Sequence, residues 1–204
     1  MTERNTPPSK ADIAELEPFT GLELEQIVVV TNEREADLAL AELMLAGTVG
    51  FDTESKPTFQ KGQKSEGPHV LQFSTLEKAF IFQPQAAATR ATVVELLKSP
   101  KLTKVGFGLK GDLAQISDRF GIRPASLIDL DRTFKTLGYK NAVGAKSAVA
   151  MLFNRKLLKS KTVTTSNWAL NPLSERQLIY AANDAYAALM VFHALEDSQA
   201  TPEI

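Results

Sequence analysis

The chain has 204 residues, a net charge of −1, 44% hydrophobic and 23% charged residues, the make-up of a globular domain with one sizeable core. It has no cysteine and only two histidines, His69 and His193, which excludes disulfides, thiol nucleophiles and thiolate or histidine-rich zinc sites. Any bound metal must be held by oxygen, which selects Mg²⁺, Mn²⁺ or Ca²⁺. No apolar run reads as long enough to span a bilayer and the N-terminus lacks a signal-peptide core, so a cytoplasmic protein is expected.

Residues 1–22 are polar and carry Pro7, Pro8 and Pro18, which predicts a loosely packed lead-in. Ile27 to Val30 reads as a short buried strand, followed by a helix from Glu33 to Ala46 with Gly47 as its stop. Residues 48–54 alternate apolar and polar at the period of a strand. A polar loop then leads to two strands, 70–74 and 79–82, joined by a tight turn. Three strands this close in sequence predict an antiparallel meander.

The pattern next becomes alternating: helix 86–98, strand 102–107, helix 109–120, strand 126–129. Alternation after a meander predicts a mixed sheet with helices on its faces. From Asp131 onward the chain reads as helical, ending in a long helix from Ser174 to Asp197 that starts with a Ser174–Gln177 capping box. One domain is expected over 23–197, with a fraying tail at 198–204.

Three acidic positions stand out. Asp52 and Glu54 sit one residue apart at a strand end, on one face, where like charges resist joint ionisation and a divalent cation would offset the repulsion. Taken alone this is an ordinary pair of solvent-facing acids. Asp112 follows a strand and a glycine-punctuated turn, where helix capping is the ordinary role. Tyr180 and Asp184 lie at i and i+4 on one face of the last helix. Around them Ala181, Ala182, Ala185, Ala187 and Ala188 would let that helix approach a sheet closely. Acids at two strand ends and on one close-packed helix are the parts of a two-metal phosphodiesterase, in which paired ions clamp the attacking and leaving oxygens.

These motifs resemble those of the DEDD 3′–5′ exonuclease superfamily, in its tyrosine-bearing branch, near ribonuclease D and the Werner-syndrome-type exonuclease domains. The matching residues are Phe51-Asp52-Thr53-Glu54, Gly106 to Asp112, and Ser166-Asn167-Trp168 with Pro172 to Glu175 and Tyr180 to Tyr186. The histidine branch would need His where Ile179 stands. The resemblance implies an α/β, ribonuclease-H-like mixed sheet of five to six strands flanked by helices. It implies metal-dependent removal of nucleoside 5′-monophosphates from nucleic-acid 3′ ends with two Mg²⁺ or Mn²⁺ ions. In that scheme Asp52 bridges both ions, Glu54 and Asp184 complete the water-activating one, Asp112 holds the second, and Tyr180 positions the water. A non-catalytic nucleic-acid-binding or scaffolding module with this fold is the alternative.

Between Arg132 and Ser174 there is no Asp or Glu, and that stretch includes Arg155, Lys156, Lys159 and Lys161. Such a segment is locally positive and suits phosphate contacts with single-stranded or 3′-recessed DNA or RNA. Relatives in the family carry extra binding modules or a helicase, so a protein partner supplying specificity, or tethering by this basic segment, is expected. Phe59 or His69 would stack on a terminal base, although local packing is the more ordinary role for each. Trp168 reads as a core anchor and Asp129 as structural.

Overall fold

The computed structural model describes residues 6–58, 62, 64–85 and 87–200. The chain runs α1 (Lys10–Ala14), β1 (Ile27–Val30), α2 (Glu33–Ala46), β2 (Thr48–Glu54), β3 (Val70–Ser74) and β4 (Ala79–Phe82). It continues with α3 (Ala87–Lys98), β5 (Thr103–Gly106), α4 (Lys110–Phe120), β6 (Leu127–Asp129) and α5 (Leu130–Thr136). The last elements are α6 (Ala145–Phe153), α7 (Lys161–Thr164) and α8 (Glu175–Ala200).

The strands form one six-stranded sheet in the order β1-β4-β3-β2-β5-β6. β2, β3 and β4 are an antiparallel meander, while β1 pairs parallel to β4, and β5 and β6 add parallel on the other side of β2. The expected mixed sheet is therefore present, with its meander in the middle.

Strand alternation divides the core. Val49 and Phe51 of β2 join Leu71, Phe73, Phe80 and Phe82 in a cluster with α2 and α3. The opposite face, with Val70, Ala79 and Ile81, packs under Ala181 and Ala182 of α8. At β2 the approach is closest. A Cβ added to Gly50 would lie 1.9 Å from the Ala185 carbonyl oxygen, so only glycine fits under α8 there. The alanines of α8 and Gly50 of β2 are two halves of one close contact.

α8 is long and apolar enough to cross a membrane by length and composition, contrary to the reading of the sequence. Its apolar residues are instead spent on the sheet, with Ala181, Ala182, Ala185, Ala187 and Ala188 all buried. The capping box forms: Ser174 N–H donates to Gln177 Oε1 at 3.0 Å and Gln177 N–H to Ser174 Oγ at 3.4 Å.

Residues 9–22, read as a lead-in, are tied down. Ser9 caps α1, Pro18 bridges to Lys156, and Leu22 is buried. Asn183 clamps this segment to α8 by accepting from Leu22 N–H at 2.6 Å and donating to its carbonyl at 3.0 Å. These ties join residues far apart in sequence, so local composition does not reveal them.

Candidate active site

β2 ends where α8 crosses it. Gly50, Asp52 and Glu54 face α8, and Val49, Phe51 and Thr53 face the other core. Asp52, Glu54 and Asp184 each offer a carboxylate oxygen, and these atoms all lie within 4.8 Å of one another. Asp184 is buried, and Asp52 and Glu54 are half-buried at the sheet edge.

Asp112 stands beside this group rather than in it. Thr53, on the far face of the same strand, donates its hydroxyl to Asp112 Oδ1 at 2.5 Å. One strand thus supplies two acids on one face and a tether for a third on the other. Gly108 and Leu109 shape the turn into α4, their N–H groups donating to Asp129 Oδ1 and Oδ2 at 2.9 and 3.2 Å. Asp129 is the structural group it was expected to be.

The electrostatics favour cation binding. Burial, then the Asp184 and Asp112 charges, raise the pKa of Asp52. Burial and the neighbouring Asp52 do the same to Glu54. Burial also raises Asp112 and Asp184. Acids this crowded are not all ionised without a counter-charge. Lys159 supplies one, its ammonium 2.8 Å from Asp184 Oδ2 and 5.8 Å from the Tyr180 ring centroid. Burial works against the charge on Lys159, but Asp184 and Asp52 outweigh it and push its pKa up.

Tyr180 is held from the other side. Its hydroxyl is 2.8 Å from Thr164 Oγ1, and its ring packs against fully buried Trp168 at 5.9 Å. Trp168 Nε1 donates to the Thr164 carbonyl at 3.2 Å, so it is a core anchor as read from the sequence. Burial and the Asp184 charge push the Tyr180 phenol up to about 12, so it is a neutral hydrogen-bonding group at ordinary pH.

The sequence model of the 3′–5′ exonuclease family matches residues 27–199, which include all four acids, Tyr180 and Lys159. The chain belongs to this family. A mouse protein, the bifunctional 3′–5′ exonuclease/ATP-dependent helicase WRN, is 28% identical over 76% of this chain and 11% of its own length. An Arabidopsis thaliana 3′–5′ exonuclease is 30% identical over 73% of this chain and 52% of its own. The chain spans about half or less of these curated relatives. Among solved structures, the Aedes aegypti Nibbler EXO domain superposes with a TM-score of 0.74 at 21% identity, covering 89% of this chain and 93% of that one. Escherichia coli RNase D superposes with a TM-score of 0.70 at 22% identity, over 85% and 46% of the two chains. These likenesses establish the fold, which is that of ribonuclease-H-like exonuclease domains.

Within this family member the donor set suits a hard divalent ion, since every convergent ligand is a carboxylate oxygen. Two recesses flank Lys159. One, of about 330 Å³, is lined by Phe51, Asp52, Phe107, Gly108 and Asp184 among others. The other, of about 850 Å³, lies against Tyr180, Leu158, Ile179 and the clamped segment 19–24.

The four basic residues expected at phosphates do not act alike. Arg155 and Lys161 are exposed. Lys156 instead donates to the Ala14 carbonyl at 2.9 Å, tying the N-terminal segment down at the surface. Lys159 is drawn into the acids, five residues past Asn154, which closes α6 in a left-handed conformation at φ 53°. His69 packs locally, accepting from Lys56 N–H at 3.2 Å, which fits the plainer of its two readings. Phe59 lies outside the described residues. Thr53 and Lys159 are the groups of the site whose roles sequence reasoning missed. Thr53 had a signal, its place between the two acids of a strand, but its partner comes from another element.

Proposed function

We propose that this family member is a metal-dependent 3′–5′ exonuclease that hydrolyses the terminal phosphodiester bond of DNA or RNA. The observation that carries the reading is the convergence of Asp52, Glu54 and Asp184 oxygens within 4.8 Å, with Asp112 one hydroxyl away. Divalent ions held by these four carboxylates, Mg²⁺ or Mn²⁺, would supply positive charge for the phosphate and lower the pKa of an attacking water.

The protein groups then divide the work. Tyr180, neutral and fixed by Thr164, orients the attacking water through its hydroxyl. Water adds to phosphorus, and the bond from phosphorus to the 3′ oxygen of the preceding nucleotide breaks. That oxygen takes a proton, and a nucleoside 5′-monophosphate is released. In-line attack puts the leaving oxygen on the side of phosphorus opposite the water that Tyr180 orients. Divalent ions on these carboxylates would compete with the Lys159 ammonium for Asp184 and would leave it available to a phosphate oxygen.

A Trypanosoma brucei RNase D, crystallised in complex with RNA U12, superposes on this chain with a TM-score of 0.72 at 19% identity. It supports a nucleic-acid substrate for the present protein. The scaffold alternative has no use for four acids, a tyrosine and a lysine in this arrangement.

The test is a 5′-labelled single strand and a recessed duplex, each as DNA and as RNA, incubated with Mg²⁺ or Mn²⁺. Shortening from the 3′ end, abolished in Asp52→Ala and reduced in Tyr180→Phe, is expected. Mid-strand cuts, or tight binding without cleavage, would refute it.

A further inference from the structure

Gln72 lies in the middle of β3 and is 0% exposed, yet among the described residues neither its Nε2 nor its Oε1 has a hydrogen-bond partner. A buried amide in that condition costs on the order of 1–3 kcal/mol. Native interiors rarely carry such groups without a reason. The register says where this one is. Gln72 is directly opposite Asp52 in the antiparallel β2–β3 ladder and opposite Ile81 on its other side. Directly opposed residues of an antiparallel pair share a face, with Cβ atoms about 4.5–5.5 Å apart. That face is the one under α8, since Val70 and Ile81, which share it, pack on Ala181 and Ala182. The alanines above offer no polar side chain. Asp52 is thus the titratable side chain beside Gln72 across the ladder.

We propose that Gln72 is a positioning residue for Asp52: its Nε2 donates to the Asp52 carboxylate when that carboxylate holds the metal. The inference rests on the exonuclease reading of the site and deepens it. The chemistry is that of an outer partner orienting a metal ligand. A carboxylate that held a metal ion would still have a lone pair free to accept a hydrogen bond. Asp52 Oδ1 already accepts from Thr53 N–H at 2.9 Å. A second neutral donor would fix the plane of the carboxylate without adding charge to a crowded site. A lysine there would compete with the ion, and a leucine would leave the carboxylate free to turn. The amide is tolerated in the core because the liganded state uses it.

Two properties then move in opposite directions when the amide is removed. The substitutions are Gln72→Leu and Gln72→Met, in the full chain. Thermal unfolding in chelator reads the intrinsic stability, and a Mn²⁺ titration followed by calorimetry and by the shift in Tm reads the site without nucleic acid. Asp52→Asn serves as control. The expected result is a Tm in chelator equal to or above the parent's, with Mn²⁺ affinity lower by about 10- to 100-fold, the usual effect of losing an outer-shell partner. Parent-like Mn²⁺ affinity in either folded variant overturns the proposal. Failure of both variants to fold also overturns it, because Gln72 would then be a support of the core. If Asp52→Asn binds Mn²⁺ as the parent does, the metal-site reading itself falls, and Gln72 has no ligand to position.

Discussion

Lys159 and Asp184 form the densest electrostatic contact of the site, an ammonium 2.8 Å from a buried carboxylate. Removing one member of a buried pair leaves the other uncompensated and costs on the order of 3 kcal/mol. Lys159→Met is therefore expected to lower stability in chelator by roughly that amount in urea titration. The same variant should show a larger Mn²⁺-induced rise in Tm than the parent, since no ammonium competes for Asp184. Thr53→Val removes the hydroxyl that holds Asp112. Its expected effect is a fall of about 10- to 100-fold in metal affinity or turnover, with the fold intact. Near-parent values in both measurements would mean that Asp112 needs no tether. Period-2 spacing put Asp52 and Glu54 on one face and i, i+4 spacing did so for Tyr180 and Asp184, while Asp112, an ordinary helix-start acid by itself, was singled out by the resemblance to the family's motifs. The role of Lys159 was not legible in the sequence, because its partner Asp184 comes from another element.

The decisive pairing of elements is α8 on β2. Gly50→Ala would drive a methyl into the Ala185 carbonyl and force helix and strand apart. Overpacking of this kind costs about 1–3 kcal/mol or more. It should also displace Asp184 from Asp52, so the Mn²⁺-dependent Tm shift is expected to shrink together with stability. A second device lies at the end of α3, where Lys104 of β5 is fully buried and donates to the carbonyls of Leu96, Leu97 and Ser99 at 3.2, 3.3 and 3.0 Å. These three bonds give the last turn of α3 the cation that its negative dipole end favours. Burial nonetheless lowers the Lys104 pKa to about 8. Unfolded, a lysine titrates near ~10.4. Between these values the unfolded chain holds more protons at this site than the native one, so this group's contribution to stability rises with pH through that window. The parent should accordingly gain stability relative to Lys104→Met as pH is raised from about 8 to about 10, as read by urea unfolding. A constant difference across that window would contradict it. Strands and helices were legible to within a residue or two, except that α8 runs to Ala200, three residues past its expected end at Asp197 and into the expected fraying tail. The anchoring of residues 9–22 was not, since it depends on Lys156 and Asn183, more than a hundred positions away.

At the scale of the molecule, a net charge of −1 conceals a basic segment beside an acidic site. That separation suits a polyanion that must be drawn in and then cut. Arg155 and Lys161 are exposed, whereas the Lys156 ammonium is committed to the Ala14 carbonyl. Arg155→Ala and Lys161→Ala should each weaken single-strand binding and reduce its salt slope by roughly 0.7 per lost phosphate contact. Lys156→Ala should lower stability instead, with the salt slope unchanged. The chain spans 11–52% of the two curated relatives described above.

The measurement that bears most directly on the cation cradle is a calorimetric Mn²⁺ titration of the whole chain in the presence of a nucleoside 5′-monophosphate. The expected result is binding of two ions per chain in the parent, one in Asp112→Asn and none in Asp52→Asn. Unchanged Mn²⁺ binding in Asp52→Asn, or no binding by the parent at millimolar metal, would contradict it.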